Sequence, residues 1–523
     1  MTDSRQDILA TLREARTWDL LVIGGGASGL GAAVDAAARG YRTLLVEARD
    51  FASGTSSCST KLIHGGVRYL RQGDFAMVRN ALRERALLLG NAPHLVHPLA
   101  FVIPAGNIGD RIIYTAGLKF YDLLSGRHAL EASRSLSRRE VIAALPGLRS
   151  AGLCGGIRYW DGQFDDARLA VTLMRTATDL GATCLNYLPV TRLLKRTGRV
   201  AGAVLRDAES GEEFEVGARA VINATGVHAD RLRRLDEANA APLLTPSQGI
   251  HLVVDADFLP GRQALMIPET EDGRVMFAIP WQGKVLLGTT DTPRPELQQL
   301  DDPQPLAEEI DFLLRTAAGI LLRPPTRADI RSAFAGLRPL VHPDRSDHKN
   351  TAALSREHAV LVSPGGLITV TGGKWTTYRL MAEAVVDRAA EVAGLPAAPC
   401  RTRALRLHGY PSGQLVGSYG SDTALLAALP GHDSQLHPDL PCSEAMIRFA
   451  IRHEAARTIE DVLARRTRAL FLDAAAAAAS IERVAAIFAE EMPLAPARLA
   501  TMIDAARQGA ERFKPGPGGR DRA

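Results

Sequence analysis

Three glycines and an acid at fixed spacing carry the first chemistry in this sequence. Gly24, Gly26 and Gly29 follow a short apolar run, Leu20 to Ile23, and open a small-residue helical stretch; Glu47 closes a second apolar run, 21 positions after Gly26. Gly24 and Gly26 permit a tight bend and close approach of backbone to ligand. Gly29 and Ala33 let a helix pack on a strand, and the free N–H groups at the helix start favour an anion. A pyrophosphate belongs at such a turn. A carboxylate ending the second strand accepts hydrogen bonds from both ribose hydroxyls and repels a 2′-phosphate, so the dinucleotide is FAD or NAD and not NADP. A glycine turn without a ligand is the bland alternative, and the complete order of strand, turn, helix, strand and acid argues against it.

Other residues are ambiguous one by one. Residues 51–70 hold many small hydroxyl side chains, which either make a surface loop or donate to phosphate and ribose oxygens. Asp165 and Asp166 stand where a helix to about Leu180 begins and read as an N-cap pair. His251 lies among alternating apolar residues, where a core histidine satisfied by backbone is the usual explanation. Arg338 precedes Pro339, which biases it toward an extended conformation from which it projects off a sheet into a cleft. Arg356, before a strand, reads by itself as a solvated edge charge. Gly372 and Gly373 repeat the theme of strand, glycine turn and helix start, but without Walker spacing. His453-Glu454 lacks the second histidine of a zinc-protease motif, since residue 457 is Arg457, and no metal site is expected.

The run Thr55-Ser-Ser-x-Ser-x-Lys-Leu-Ile-His-Gly-Gly-x-Arg-Tyr-Leu70, with the glycine start and Glu47, resembles the FAD-dependent glycerol-3-phosphate dehydrogenases, members of the D-amino-acid-oxidase-like flavoproteins. The resemblance extends through Asp-Asp-Ala-Arg-Leu at 165–169, Gly-Thr-Thr-Asp at 288–291 and Gly-Gly-Lys at 372–374, covering residues 18 to about 490. It implies that Thr55, Ser56, Ser59 and Lys61 wrap the FAD, and that Gly372, Gly373 and Thr376 start a helix aimed at the flavin pyrimidine. The positive end of that helix, with Lys374, would stabilise negative charge on the ring. Trp375 stands where the family often has an aliphatic residue. By the same resemblance Arg68 and Tyr69 face the substrate, His251 moves from core residue to substrate contact, and Arg68, Arg338 and Arg356 suit a phosphate dianion.

The surrounding elements must position these groups. At 523 residues the chain exceeds the size of one core, so two or three domains are expected. The fold class is α/β: a Rossmann-type FAD-binding domain with an interleaved α+β substrate domain built on an antiparallel sheet, and a C-terminal helical domain. Residues 1–17 form a helical extension. Residues 18–400 hold the FAD-binding domain interleaved with substrate-domain segments at about 75–160 and 240–340. Residues 401–510 are a helical cap and 511–523 a disordered tail. The buried strand Ala220 to Asn223 returns the chain to the nucleotide sheet, which selects FAD, because a simple NAD domain would have ended well before residue 226. Residues 183–222 alternate like antiparallel strands, 74–99 and 296–330 read as helical, Gly117 to Leu124 as another helix, and Ala469 to Ala489 as a soluble helix.

The net charge of +4, with signs interspersed and no aromatic-basic stacking pattern, gives no reason to expect nucleic acid. The five dispersed cysteines suggest neither a disulfide framework nor a zinc knuckle, and the N-terminus has no apolar signal region. The implied reaction is oxidation of sn-glycerol 3-phosphate to dihydroxyacetone phosphate, hydride passing from C2 to flavin N5. His251 would take the hydroxyl proton because an imidazole titrates near working pH, Arg338 would polarise the oxygen, and Arg68 with Arg356 would hold the phosphate. Electrons would pass to a membrane quinone. The expectation is a homodimer in the cytoplasm, peripherally associated with the inner face of the cell membrane. The alternatives are an oxidase that uses oxygen and a flavin-holding protein without turnover.

Overall fold

The computed structural model describes residues 5–14, 16–67, 70, 73–294, 300–341, 358–413 and 417–515. The first apolar run forms the strand Thr17–Ile23, paired in parallel with Thr43–Val46 so that Leu20 faces Thr43 and Ile23 faces Val46. Glu213–Asn223 lies on its other side, also parallel, with Ile23 opposite Asn223. Ile368–Gly372 extends the sheet beyond Ile222, again in parallel. Leu20, Leu21, Val22 and Ile222 are wholly buried, as strands covered on both faces must be. The helix Ala27–Ala38 packs against Tyr378–Ala393, and Gly31 makes this possible: a Cβ there would stand 2.9 Å from the Tyr378 ring. After its first two strands the chain therefore returns to the nucleotide sheet twice, over residues 183–223 and 358–372.

Residues 183–222 are antiparallel only in part. Val190–Arg196 and Arg199–Arg206 make a hairpin that pairs with the start of Glu213–Asn223, while Thr183–Leu185 joins Thr43–Val46 in parallel. The alternation of side chains reports strand, but not its direction.

The second sheet holds the strands expected to form the substrate layer. Leu244–Asp255 runs antiparallel to Ser332–Val341, in register from Leu244 opposite Val341 to Val253 opposite Ser332, and to Lys284–Gly288 on its other side. Val96–Ala105 and Gly155–Phe164 make a second long antiparallel pair, with the short strand Leu62–Ile63 on the edge of the latter. One contact departs from the expected pattern: Ala264–Ile267 meets Val96–Ala105 in parallel.

Helix boundaries shift from the sequence expectation where caps decide them. Phe75–Asn91 starts at Asp74, whose carboxylate accepts from the Met77 N–H, and stops short of residue 99. Ile108–Ser125 starts nine residues before Gly117 because Asn107 caps it, accepting from the Asp110 N–H. Between 300 and 330 the α-helix is confined to Ala307–Ile320. The run Ala469 to Ala489 is divided into Ala469–Leu472, Ala474–Ala479 and Ile481–Glu491, since the Asp473 carboxylate accepts from Ala475 and Ala476 N–H and so starts a new helix. The last helix, Pro496–Phe513, overruns the expected start of the tail at 511. The N-terminal helix Arg5–Leu12 packs Leu9 and Leu12 against Trp18 and Leu21. No helix among the described residues is long and apolar enough to cross a membrane.

Candidate active site

A cavity of about 570 Å³ opens between the glycine turn of the first sheet and the inner face of the second. At the turn, space is made by missing side chains. Gly24 has φ +114°, and a Cβ on it would lie 2.5 Å from the Ala224 carbonyl oxygen. A Cβ on Gly29 would lie 1.9 Å from the Gly24 carbonyl oxygen, so the helix touches the turn backbone to backbone. Gly26 caps the helix Ala27–Ala38, whose first amide, Ala27 N–H, donates to Ser56 Oγ at 2.9 Å. Burial raises the Glu47 carboxyl pKa, opposed by Arg49 N–H and Gly25 N–H, which donate at 2.9 and 2.6 Å. Thr55 Oγ1 donates to the Leu337 carbonyl, tying the hydroxyl-rich loop to the substrate sheet. Gly372 and Gly373 have φ of 76° and 74°, a left-handed pair that side chains would strain. A cradle that Cβ atoms would fill, a helix N-terminus and a carboxylate on one cavity fit a dinucleotide such as FAD.

His251, Arg338 and Lys374 line the same cavity. His251 and Arg338 each stand over a glycine on a neighbouring strand. Gly288 is the register partner of His251, and a Cβ there would come within 2.2 Å of the imidazole Cδ2. A Cβ on Gly249 would come within 2.4 Å of Arg338 Nη2. His251 is 2% exposed, its ring stacked on Phe334 with centroids 5.1 Å apart, and its Nε2 lies 2.9 Å from Thr60 Oγ1. Burial, with the charges of Lys61 and Arg338 nearby, pushes the imidazole pKa well below its ordinary value. This departs from the expectation of titration near working pH and favours the neutral ring, whose Nδ1 is buried with no hydrogen-bond partner among the described residues. Arg338 donates to the Thr290 carbonyl at 3.1 Å and pairs with Asp291 at 3.3 Å, and Asp291 also accepts from the Ser247 hydroxyl. Lys374 Nζ lies 3.5 Å from Met77 Sδ, and Lys374 is the N-cap of the turn Trp375–Thr377. That turn is 3-10 in form and leads into Tyr378–Ala393, so the expected helix start is a tighter coil. Thr376 Oγ1 accepts from His64 N–H at 3.1 Å.

Lys61 does not reach the cavity. Its ammonium is wholly buried, 2.7 Å from Asp166 Oδ2 and within 5.4 Å of the Trp281, Phe334 and Phe471 ring centres. Burial draws its pKa down to about 8 despite Asp166. Ser59 lines the cavity, but its hydroxyl also turns to Asp166, at 2.7 Å. The two acids at 165 and 166 therefore divide the work. Asp165 caps the helix Asp166–Asp179, accepting from Arg168 N–H, whereas Asp166 is a counter-ion for Lys61 and Arg468. The expectations for Arg68, Tyr69 and Arg356 fall outside the described residues.

Sequence reasoning missed Thr60, the partner of His251, and the anchoring role of Trp375, whose indole N–H donates to the Ser56 carbonyl at 2.9 Å. It also missed the buried group under Gly65: Asp161 pairs with Arg85 at 2.7 Å and accepts from Tyr121 Oη at 2.8 Å, and Gly65 N–H donates to Tyr121 Oη at 2.9 Å. One signal in the strands went unused: Gly249 and Gly288 mark the close approach of Arg338 and His251, the ordinary reason for a glycine in an apolar strand.

Comparison with known proteins gives a consistent answer. Residues 19–388 match the FAD dependent oxidoreductase family, and residues 368–499 match the C-terminal domain of alpha-glycerophosphate oxidase. The probable mitochondrial glycerol-3-phosphate dehydrogenase of Caenorhabditis elegans is 40% identical over 96% of this chain and 74% of its own length. The mitochondrial glycerol-3-phosphate dehydrogenase of Homo sapiens is 39% identical over 94% and 72%. Among solved structures, the glycerol-3-phosphate dehydrogenase of Bacillus halodurans complexed with FAD superposes with a TM-score of 0.80, at 30% identity and 99% coverage of both chains. The L-alpha-glycerophosphate oxidase of Mycoplasma pneumoniae shares the fold, at TM-score 0.56 and 18% identity over 74% of this chain and 97% of that one. From the glycine cradle at one sheet to the two domain matches and the relatives about 40% identical over most of the chain, the chain belongs to the family of FAD-dependent glycerol-3-phosphate dehydrogenases.

Proposed function

We propose that this chain oxidises sn-glycerol 3-phosphate at C2 to dihydroxyacetone phosphate and passes the electrons to a membrane quinone. The observation that carries the reading is the meeting, in one cavity with the dinucleotide cradle, of a neutral buried imidazole and the cationic side chains of Arg338 and Lys374. Bound FAD would supply the hydride acceptor. His251, neutral and oriented by Thr60 and Phe334, would take the C2 hydroxyl proton. Arg338, held by Asp291 and the Thr290 carbonyl, would polarise that oxygen, and Lys374 would favour negative charge on the flavin. Arg68 and Arg356 enter on resemblance alone, as the groups that hold the phosphate, and Tyr69 as a further group facing the substrate.

Anaerobic addition of sn-glycerol 3-phosphate should bleach the flavin absorbance at once, and a spectrum that stays yellow would sink the substrate. Readmitting oxygen or a soluble quinone then separates oxidase from dehydrogenase. His251→Ala should slow the bleaching about 10²-fold or more; an unchanged rate at every pH would remove His251 from the reaction.

A peripheral seat on the membrane is supported by the helix Ile108–Ser125. It buries Leu118 and Tyr121 on one side and leaves Ile108, Ile112, Ile113 and Leu123 between 63% and 73% exposed on the other, beside Phe75. Such a face costs solubility and gains binding energy in an acyl boundary. The paired change Ile112→Glu with Ile113→Glu should release the protein from vesicles in a flotation assay while flavin reduction is unaltered; persistent flotation would move the contact elsewhere.

A further inference from the structure

The loop from Ser56 to Thr60 forms one wall of the cofactor cavity, yet its backbone is held from behind by groups that line no part of that cavity. The Ser57 carbonyl accepts from two buried cations, Lys61 Nζ at 2.7 Å and Arg468 Nη2 at 2.8 Å. Asp166 answers both, with Oδ2 2.7 Å from Lys61 Nζ and Oδ1 3.2 Å from Arg468 Nη2, and it accepts the Ser59 N–H at 2.9 Å as well. The three charged side chains are at most 3% exposed. With no water to substitute, every one of these bonds is hard to replace.

Arg468 comes from the C-terminal helices. It sits in a left-handed conformation, φ 62°, which a non-glycine residue adopts only when its surroundings compel it. Its guanidinium stacks over Phe471 at 3.9 Å and donates to the Ala464 carbonyl at 2.9 Å. Phe471 continues the line: its ring centre is 4.7 Å from that of Phe334, which is stacked on His251. Two routes thus join the C-terminal helices to the imidazole. One is hydrogen-bonded, from Arg468 through the Ser57 backbone to Thr60; the other is a column of rings.

We infer that Arg468 is a positioning residue for the oxidation: the C-terminal domain, through Arg468 and Phe471, holds the Ser57–Thr60 backbone and the His251 ring in their reactive arrangement. The inference rests on the role proposed for His251. It assigns to the helical domain a part in catalysis without contact to substrate or cofactor. Geometry is where the effect arises, since a displacement of about 1 Å is enough to cost on the order of 10²-fold in rate.

The test uses the full chain, with and without FAD, as Arg468→Gln, Arg468→Lys and Phe471→Leu. Amide exchange in peptides spanning residues 56–63 should speed up in Arg468→Gln in both forms. In the FAD-loaded protein the limiting flavin-reduction rate should fall about tenfold while the apparent substrate dissociation constant moves by no more than about twofold, and Arg468→Lys should recover most of the rate. Phe471→Leu leaves the charges paired and should slow reduction severalfold with FAD content intact, which keeps the inference open to test where Arg468→Gln does not fold. Wild-type reduction rates in the folded variants, or a loss that only follows lost FAD, would overturn it. If the unaltered protein is not bleached by sn-glycerol 3-phosphate, the substrate reading has failed, and the exchange data still decide whether Arg468 clamps the loop.

Discussion

The glycine turn and the seam beneath the C-terminal helices are built on opposite principles. Around Gly24 and Gly29 the molecule works by leaving atoms out, bringing backbone against backbone within an apolar core. At the seam it works by burying charge. Asp50, wholly buried, accepts from Arg466 at 2.7 and 2.8 Å and from Arg465; Arg465 continues to Asp461 at 2.7 Å, and Arg168 pairs with Glu454 nearby. The turn should tolerate no added atom and the seam no removed charge.

The strongest attack on that contrast is Asp50→Ala, which takes the carboxylate from the wholly buried Arg466, leaves Arg465 to Asp461, and should cost about 3–5 kcal/mol of stability. Denaturant titration would measure it; a loss below about 1 kcal/mol, the range of exposed pairs, would erase the distinction. Gly29→Ala comes next. The added carbon meets a carbonyl oxygen that cannot swing aside, so about 1–3 kcal/mol of overpacking and loss of bound FAD are expected. Retention of FAD at wild-type stability would show that the turn has slack.

The smallest effect is in the pH dependence. Burial alone would raise the Asp50 carboxyl, but Arg466 and Arg465 prevail and hold it at about 2. A depressed acid stabilises the fold above its unfolded pKa, near 3.9, and loses that contribution as the pH falls toward 2, about 2–3 kcal/mol in all. His251 is likewise depressed, so the unfolded chain takes up its proton first and stability begins to decline below about pH 6.5. His94, held at about 4, and His453, also depressed, add to the same decline, so His251→Gln should shrink it without abolishing it and leave the later one. An acid unfolding curve unchanged by that substitution would mean the imidazole is charged in the folded protein.

Much of the turn was legible because its information is local. Strand, glycines, helix and Glu47 lie within one short stretch, and each residue type has one physical reason to be there. The seam was not, because charge pairing is settled across the fold: Lys61 meets a partner 105 positions away, and Arg468 one 302 positions away. Lys61 shows a subtler limit. The motif around it is much more specific than the glycine motif, and the loop it names lines the cavity, yet a motif does not say which way a side chain turns. Thr60, one residue earlier, faces His251, while Lys61 faces Asp166. The fold class was readable from periodicity and from the returning strand at 220–223, but strand direction in 183–222 was not, since alternation is the same in either sense.

The central position of Glu213–Asn223 bears on how the chain is made. The strand Thr17–Ile23 finds a neighbour in residues 43–46 soon after it leaves the ribosome, but its other edge is covered only by residues 213–223, and that strand by residues 368–372. Synthesis at about 5–20 residues per second leaves the half-built sheet exposed for tens of seconds. The nucleotide site is thus assembled from segments more than 300 positions apart, and a product stopped before residue 368 has the glycine turn but lacks the strand Ile368–Gly372 of its sheet.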